Sequence, residues 1–448
     1  MLDDRRLRLE IEAFVQEVKL VRNLALVRTP PGNANGVARA EDLFNCRRRH
    51  RSRRHPLGRG SGALPPALVR ARGPESCVSA SSTLSNASLA GRAKRGASAR
   101  VGVGVLGATG YTGAELVRLL ATHPGAALRA VGSRQHAGEP LARVWPSLAP
   151  LDLVLDEDPM DPATWVDRGV EVVFAALPHG AFAGRAPEYL AAGMRVIDLS
   201  ADFRLRDPAE YLRRYHLEHP APQLLDQAVY GLTEWCGPEL SGAFLVANPG
   251  CYATAILLAT LPAVTAGWWS GAPIVANALS GVSGAGRTPT TTTHFIECGN
   301  SAAPYKVGET HAHLGEIGQV LAQNGGMGPI VMNPHLVPMA RGIVATIAIP
   351  LRDAVGVTEA RERFADQYAG MPFVRLLDGD TLPETRHVRG SNGCHLALGV
   401  AAGGRLLLVF AAIDNLMKGA AGQAIQNWNR MSGWPEETGL PLMGWACA

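Results

Sequence analysis

From residue 101 onward the chain alternates two hydrophobic patterns. Short unbroken apolar runs, the signature of strands buried on both faces, are separated by stretches whose apolar residues recur at helical spacing. Val101-Gly102-Val103-Gly104-Val105-Leu106 is the first such run, and an amphipathic helix over 114–120 follows it. Further strands are predicted at 127–132, 170–177, 195–199 and 244–247, and a helix rich in Ala and Leu at 252–266. Strand alternating with helix predicts a mostly parallel, doubly wound α/β sheet. Beyond 270 the pattern changes. Runs rich in Ile, Val and Leu at 274–279, 342–350 and within 396–409 predict a mixed sheet in a second, α+β domain. A last helix, over 414–424, carries small residues that allow close approach and fits a return to the first domain. The expected division is a leader over 1–100, a first domain over 101–252 completed by 415–448, and a second domain over 253–414.

The leader shows no such periodicity. A weak helix is predicted between Leu7 and Leu26 and is ended by Pro30-Pro31-Gly32. Between Cys46 and Arg100 there are twelve Arg and one Lys against the single acid Glu75, in Ser-, Ala- and Gly-rich surroundings. That composition predicts disorder. It suits an organelle transit peptide, against which the acidic start Asp3-Asp4 argues. A nucleic-acid-binding arm is disfavoured, because no aromatics interleave the Arg run. An upstream extension of the reading frame is the third reading and the one favoured here. The formal net charge of +4 resides in this segment, and without it the chain is net acidic. No run of eighteen apolar residues occurs, so no membrane span is expected. The seven cysteines form no CxxC pair, zinc pattern or secreted disulfide framework, which fits a reducing compartment and no metal. The cytoplasm is the expected location, or the chloroplast if the leader is a transit peptide.

Gly107-Ala108-Thr109-Gly110-Tyr111-Thr112-Gly113 joins the first strand to the first helix. Any glycine-rich turn can serve tight packing alone. With a strand before it and a helix after, it fits the dinucleotide fingerprint of a Rossmann domain. Gly107 and Gly110 would let the backbone approach a diphosphate at the helix N-terminus, and Gly113 would let helix pack on strand. At the end of the next strand stand Ser133 and Arg134 rather than Asp or Glu. A hydroxyl and a guanidinium suit a 2′-phosphate, so NADP(H) is expected over NAD(H). Pro178-His179-Gly180 and Ser200-Ala201-Asp202-Phe203-Arg204 follow later strands, where ligand crevices of open α/β sheets lie.

Candidate chemistry centres on Asn248-Pro249-Gly250-Cys251-Tyr252-Ala253-Thr254, a turn between a strand and a helix. Most lone cysteines are small core residues. This one is placed at a helix start, where free N–H groups and the helix dipole should lower a thiol pKa and make a nucleophile. A second glycine-serine loop, Ser280-Gly281-Val282-Ser283-Gly284-Ala285-Gly286-Arg287, is either an anion nest or an ordinary mobile loop. The run 288–293, with four consecutive Thr, suits a lid. A cysteine nucleophile needs a histidine base or proton donor. His311, His313 and His335 are candidates that spacing alone does not separate. If His311 and His313 shared a helix, two residues apart, they would diverge and not face one site.

Taken in order, GATGYTG, LPHG, DLSADFRL, VYGLTE, NPGCYAT, SGVSGAGR, HLVPM-ARG, RGSN and DNLMKGAAGQA resemble the N-acetyl-gamma-glutamyl-phosphate reductases, from Val101 to the C-terminus. The resemblance implies NADPH-dependent reduction of an acyl phosphate, N-acetyl-glutamyl 5-phosphate, to the semialdehyde in arginine biosynthesis. It implies Cys251 as the acylating residue and His313, in a His-x-His-x-x-Glu-Ile pattern, as general acid/base. Cofactor contacts then fall on Gly107, Thr109, Gly110, Tyr111, Thr112, Gly113, Ser133, Arg134, Pro178 and Asn415. Substrate contacts fall on Arg204, Ser283, Gly284 and His311. A homo-oligomer, dimer or tetramer, without nucleic acid or membrane, is also implied. The family usually has Arg and Pro where Ala312 and Gly315 stand. Two rivals are an aspartate-semialdehyde dehydrogenase-like enzyme and a dinucleotide-binding protein that has lost catalysis.

Overall fold

The first apolar run becomes β1 (Val101–Leu106), buried along nearly its whole length. It lies within a six-stranded sheet with β2 (Ala126–Val131), β3 (Val172–Ala175), β4 (Arg195–Asp198), β5 (Val229–Tyr230) and β6 (Leu245–Ala247). The spatial order is β2-β1-β3-β4-β6-β5 and every pairing is parallel. The chain leaves β1 through α1 (Tyr111–Thr122) to β2 on one side and later returns to β3 on the other. The ends of β1 and β3 therefore flank a topological switch point, the place where open α/β sheets form ligand crevices. The computed structural model describes residues 100–157 and 161–445. The leader and its weak helix lie outside the described residues.

The second sheet contains β7 (Ile274–Ser280), β8 (Ala303–Pro304), β9 (Ile330–Leu336), β10 (Ile343–Pro350), β11 (Val374–Leu376), β12 (Cys394–Ala401) and β13 (Leu406–Ile413). Its order is β11-β12-β13-β10-β7-β9-β8, with parallel and antiparallel pairs. The stretch expected as strand within 396–409 is a hairpin of two strands, broken by Gly403 and Gly404, both at positive φ. One face of this sheet, including Ile274, Ile343, Ile347, Leu396 and Val409, is fully covered. It shares a core with three helices: α2 (Cys251–Thr265), α3 (His313–Gln323) and α4 (Val357–Gln367). Helix α2 is apolar all round and buried from Tyr252 to Val264, as a helix enclosed within a protein must be.

The C-terminal segment differs from the expected single helix over 414–424. A π-turn over Met417–Ala421 precedes α5 (Gly422–Met431). Met417, Ala421, Ile425 and Trp428 join the core built on β1 and α1. Thus the chain end packs on the first sheet while the π-turn meets the start of α2.

Candidate active site

The glycine turn, the Cys251 turn, the 283–289 loop and the π-turn border one cavity of about 910 Å³. At its dinucleotide end the main chain turns sharply at Gly107, φ +75°, where a Cβ would collide with the Ala176 carbonyl. Gly110 caps α1 without a side-chain hydrogen bond, and Gly110, Tyr111, Thr112 and Gly113 all border the cavity. The uncapped first turn of α1 thus suits an anion. Ser133 is buried with its hydroxyl 3.1 Å from that of Thr109, whereas Arg134 is exposed at the cavity edge. Pro178 and Asn415 border the same space, and Asn415 Nδ2 donates to Ser283 Oγ at 3.0 Å. A curved backbone, an open helix start and a hydroxyl–guanidinium pair one strand away fit a dinucleotide.

Cys251 is the first residue of α2, after the extended N-cap Gly250. Three groups fix the turn before it. Arg204 Nε donates to the Asn248 carbonyl at 2.8 Å, Gly250 N donates to Glu316 at 3.1 Å, and Asn427 Nδ2 donates to Asn248 Oδ1 at 3.1 Å. Gly250 has to be glycine here, because a Cβ would stand 2.5 Å from His313 Nε2. A Cβ on Gly419, in the π-turn, would likewise lie 2.7 Å from that of Cys251. The expected lowering of the thiol pKa is not what the structure gives. Cys251 keeps some exposure, but burial of its surroundings pushes the thiol up to about 11, outweighing the Arg204 charge and the Tyr252 N–H. Desolvation disfavours the thiolate more than the helix terminus favours it.

His313 opens α3 and borders the cavity. Burial first, and the positive charge of Arg204 second, hold it well below the usual histidine range. At neutral pH it is therefore an uncharged base. Its Nδ1 is buried without a partner, and its Nε2 lies 3.9 Å from Glu316 Oε1, beyond hydrogen-bond reach. His311 lies before the helix and not on it, so the divergence expected of two residues sharing a helix does not apply to this pair. Their rings are 4.7 Å apart, and His311 Nδ1 accepts from the His313 N–H at 3.2 Å. His311 is buried behind His313 and, unlike Arg204, Ser283 and Gly284, does not border the cavity. His335 is also away from it, with Nδ1 3.0 Å from the Asn333 carbonyl.

Glu316 is the group the motif reading passed over. It is 1 % exposed and takes Arg204 Nη1 at 3.1 Å, Tyr230 Oη at 2.7 Å and the Gly250 N–H. A fully desolvated carboxylate persists only with such partners. Its place in the His-x-His-x-x-Glu pattern, one turn after His313, was the available signal.

The model described as "Semialdehyde dehydrogenase, NAD binding domain" matches residues 102–243, and that of "Semialdehyde dehydrogenase, dimerisation domain" matches 251–415. The N-acetyl-gamma-glutamyl-phosphate reductase of Symbiobacterium thermophilum is 47% identical over 341 residues, 75% of this chain and 97% of that protein. The Geobacter metallireducens reductase is 44% identical over 340 residues, with 75% and 97% covered. The chain belongs to the N-acetyl-gamma-glutamyl-phosphate reductase family. It is an oxidoreductase with an NAD(P)-binding Rossmann sheet beside a mixed sheet. Among solved structures, aspartate semialdehyde dehydrogenase II of Vibrio cholerae superposes with TM-score 0.55 at 17% identity, covering 75% of this chain and 98% of that one. The Candida albicans aspartate semialdehyde dehydrogenase with NADP gives 0.53 at 17%, with 75% and 99% covered. These two likenesses speak for the fold alone. Among the described residues no helix is long and apolar enough to cross a membrane, and no cluster of His, Cys, Asp or Glu could hold a metal ion.

Proposed function

We propose that the chain reduces N-acetyl-glutamyl 5-phosphate to the 5-semialdehyde with NADPH, through a thioester on Cys251. The observation carrying this reading is a cysteine at an uncapped helix start that shares one cavity with a neutral histidine and the dinucleotide cradle. His313 takes the Cys251 proton, and the thiolate attacks the acyl carbon. The C–O bond to phosphate breaks and phosphate leaves with the electron pair. A bound nicotinamide would supply the hydride that reduces the thioester carbon. His313 returns its proton as the hemithioacetal collapses, freeing aldehyde and Cys251. First-turn N–H groups of α2 face the developing oxyanion, and Arg204 adds positive charge to that end of the cavity. Ser283 supplies a hydroxyl for phosphate beside Gly284, whose own N–H is taken by the Gly281 carbonyl, while His311 supports His313 from behind. Glycine turn, Ser133, Arg134, Pro178 and Asn415 hold the cofactor.

The test is steady-state oxidation of NADPH by purified protein with N-acetyl-glutamyl phosphate and, in parallel, with aspartyl phosphate. Faster turnover of the N-acetyl substrate is expected. Equal or faster turnover of aspartyl phosphate would shift the assignment, and none with either would leave only a binding protein.

Cofactor choice is expected to rest on Arg134. Arg134→Ala should weaken NADPH roughly tenfold to a hundredfold and NADH little, the usual loss for a bond to a charged group. Ser133→Asp should act in the same sense, by repelling the 2′-phosphate and breaking the Thr109 contact. Dissociation constants for both cofactors check this, and equal small changes would place specificity elsewhere.

The reading extends to assembly, boundaries and place. Family similarity to a dimerisation domain, and the half-exposed outer face of the second sheet with Val275, Val331 and Val344, support a homo-oligomer, dimer or tetramer. The domain division proposed is 101–252 with 415–448, and 253–414, in the cytoplasm. Deleting residues 1–95 is expected to leave a folded, active enzyme, since that segment offers no periodic apolar face and the family match begins at residue 102. An insoluble or inactive truncation would overturn this.

A further inference from the structure

The loop after β7 is anchored at its base and exposed at its tip. Ser283 N donates to the Ala340 carbonyl, Gly286 N to Ser283, and Asn415 Nδ2 to Ser283 Oγ. From Gly286, at φ +87°, the chain runs outward and residues 287–290 are exposed. One side chain of this stretch crosses back over the cleft. Arg287 Nη1 donates to the Thr109 carbonyl at 3.0 Å, inside the glycine turn on the other sheet. Its guanidinium lies over the Trp145 ring, 4.5 Å from the centroid. Trp145 Nε1 donates to the same Thr109 carbonyl at 3.2 Å, and its ring lies 6.1 Å from that of Tyr111. Arginine, tryptophan and tyrosine thus form a wall beside the start of α1, with the two rings tilted by 52°.

Two features set Arg287 apart from an ordinary surface arginine. Among the described residues no carboxylate lies within ion-pair distance of it, although it is held in place by a carbonyl and a ring. It also borders the cavity, together with Thr109, Tyr111 and Gly113. A guanidinium has five N–H donors, and only one direction is taken by Thr109. The remaining charge and donors stand where a dianionic bridge at the α1 N-terminus would be met from the opposite side.

We propose that Arg287 is a clamp on the diphosphate of the dinucleotide. It ties the 283–289 loop to the glycine turn across the bound cofactor, and so sets how long the cofactor stays. This rests on the reading that the glycine turn holds NADPH. The clamp recognises the diphosphate, which NADPH and NADH share, and is separate from the 2′-phosphate contact of Arg134. Trp145 is its platform, a role lysine cannot fill equally because a compact ammonium neither stacks as a plane nor forks.

Direct binding to the full-length protein tests it, with NADPH, NADH and adenosine 2′-monophosphate, which carries the 2′-phosphate but no diphosphate. Arg287→Ala is expected to weaken NADPH and NADH alike by about tenfold, mostly through faster dissociation, and to leave adenosine 2′-monophosphate unchanged. Arg287→Lys and Trp145→Leu should each lose part of that affinity. The exposed tip tolerates the Arg287 changes, Trp145 is partly buried against the first core, and an unchanged melting temperature shows that each variant is folded. Unaltered NADPH affinity in Arg287→Ala overturns the clamp. So does a parallel loss for adenosine 2′-monophosphate, or a defect confined to KM for the acyl phosphate. Wild-type protein that fails to bind NADPH would instead overturn the dinucleotide reading beneath it.

Discussion

Cys251→Ser is expected to remove reduction of the acyl phosphate, by on the order of 10³-fold or more, while NADPH binding survives. The hydroxyl fits the space between Gly250 and Gly419, so the turn, the His313 packing and the cofactor cradle stay in place. What disappears is the thiol on which the proposed thioester forms. Burial has pushed the Cys251 thiol up to about 11, so in the free enzyme the thiolate is scarce at pH 7 and its fraction grows with pH. Alkylation of the free enzyme by iodoacetamide should therefore accelerate about tenfold per pH unit and keep rising past pH 9. A plateau near pH 7 would mean that the helix terminus and Arg204 prevail over desolvation. Substantial turnover by the serine variant would take Cys251 out of the mechanism. Cys236, Cys298 and Cys394 do not border the cavity, and replacing each singly should preserve most activity.

The parts legible in the sequence were those written in local pattern. β1, the glycine turn and α1 follow from an apolar run, three glycines and a helical stripe, all between Val101 and Thr122. Cys251 at the head of α2 follows from the Asn-Pro-Gly turn in the same way. What local pattern did not carry was the environment. The thiol pKa depends on how tightly distant segments enclose it, and Gly419 lies far along the chain from Cys251. The two histidines came together because α3 starts at His313 rather than before His311, a boundary of the kind that capping signals mark poorly. Glu316 matters through Arg204, Tyr230 and Gly250, each more than sixty residues away, and no spacing rule reaches that far. The C-terminal helix was visible as small residues, but its π-turn was not, because that geometry answers to what it packs against.

Lys418→Met should cost roughly 3–5 kcal/mol of stability, the usual penalty for stranding one member of a buried ion pair. Lys418 sits in the π-turn and Glu234 in the short helix Thr233–Cys236, and both side chains are fully buried. Lys418 Nζ donates to Glu234 Oε1 at 2.6 Å and to Gln426 Oε1 at 2.7 Å, and Gln426 Nε2 donates to Glu234 Oε1 at 2.9 Å. Methionine keeps most of the volume but leaves the Glu234 charge in a dry interior with one amide donor, and it leaves Gln426 Oε1 with Asn392 Nδ2 alone, at 2.9 Å. The pair ties the chain end to the first half of the fold, and the next residue, Gly419, closes against Cys251. Loss of the pair should thus lower kcat as well as stability, with KM for NADPH nearly unchanged. Urea unfolding at constant slope measures the first effect, and steady-state kinetics well below the transition measure the second. Adding Glu234→Gln to Lys418→Met should restore much of the stability, since no unpaired charge then remains. A double variant as unstable as the single one would trace the loss to packing, and an unmoved urea midpoint in Lys418→Met would show that the ion pair contributes nothing to holding the π-turn under the nucleophile.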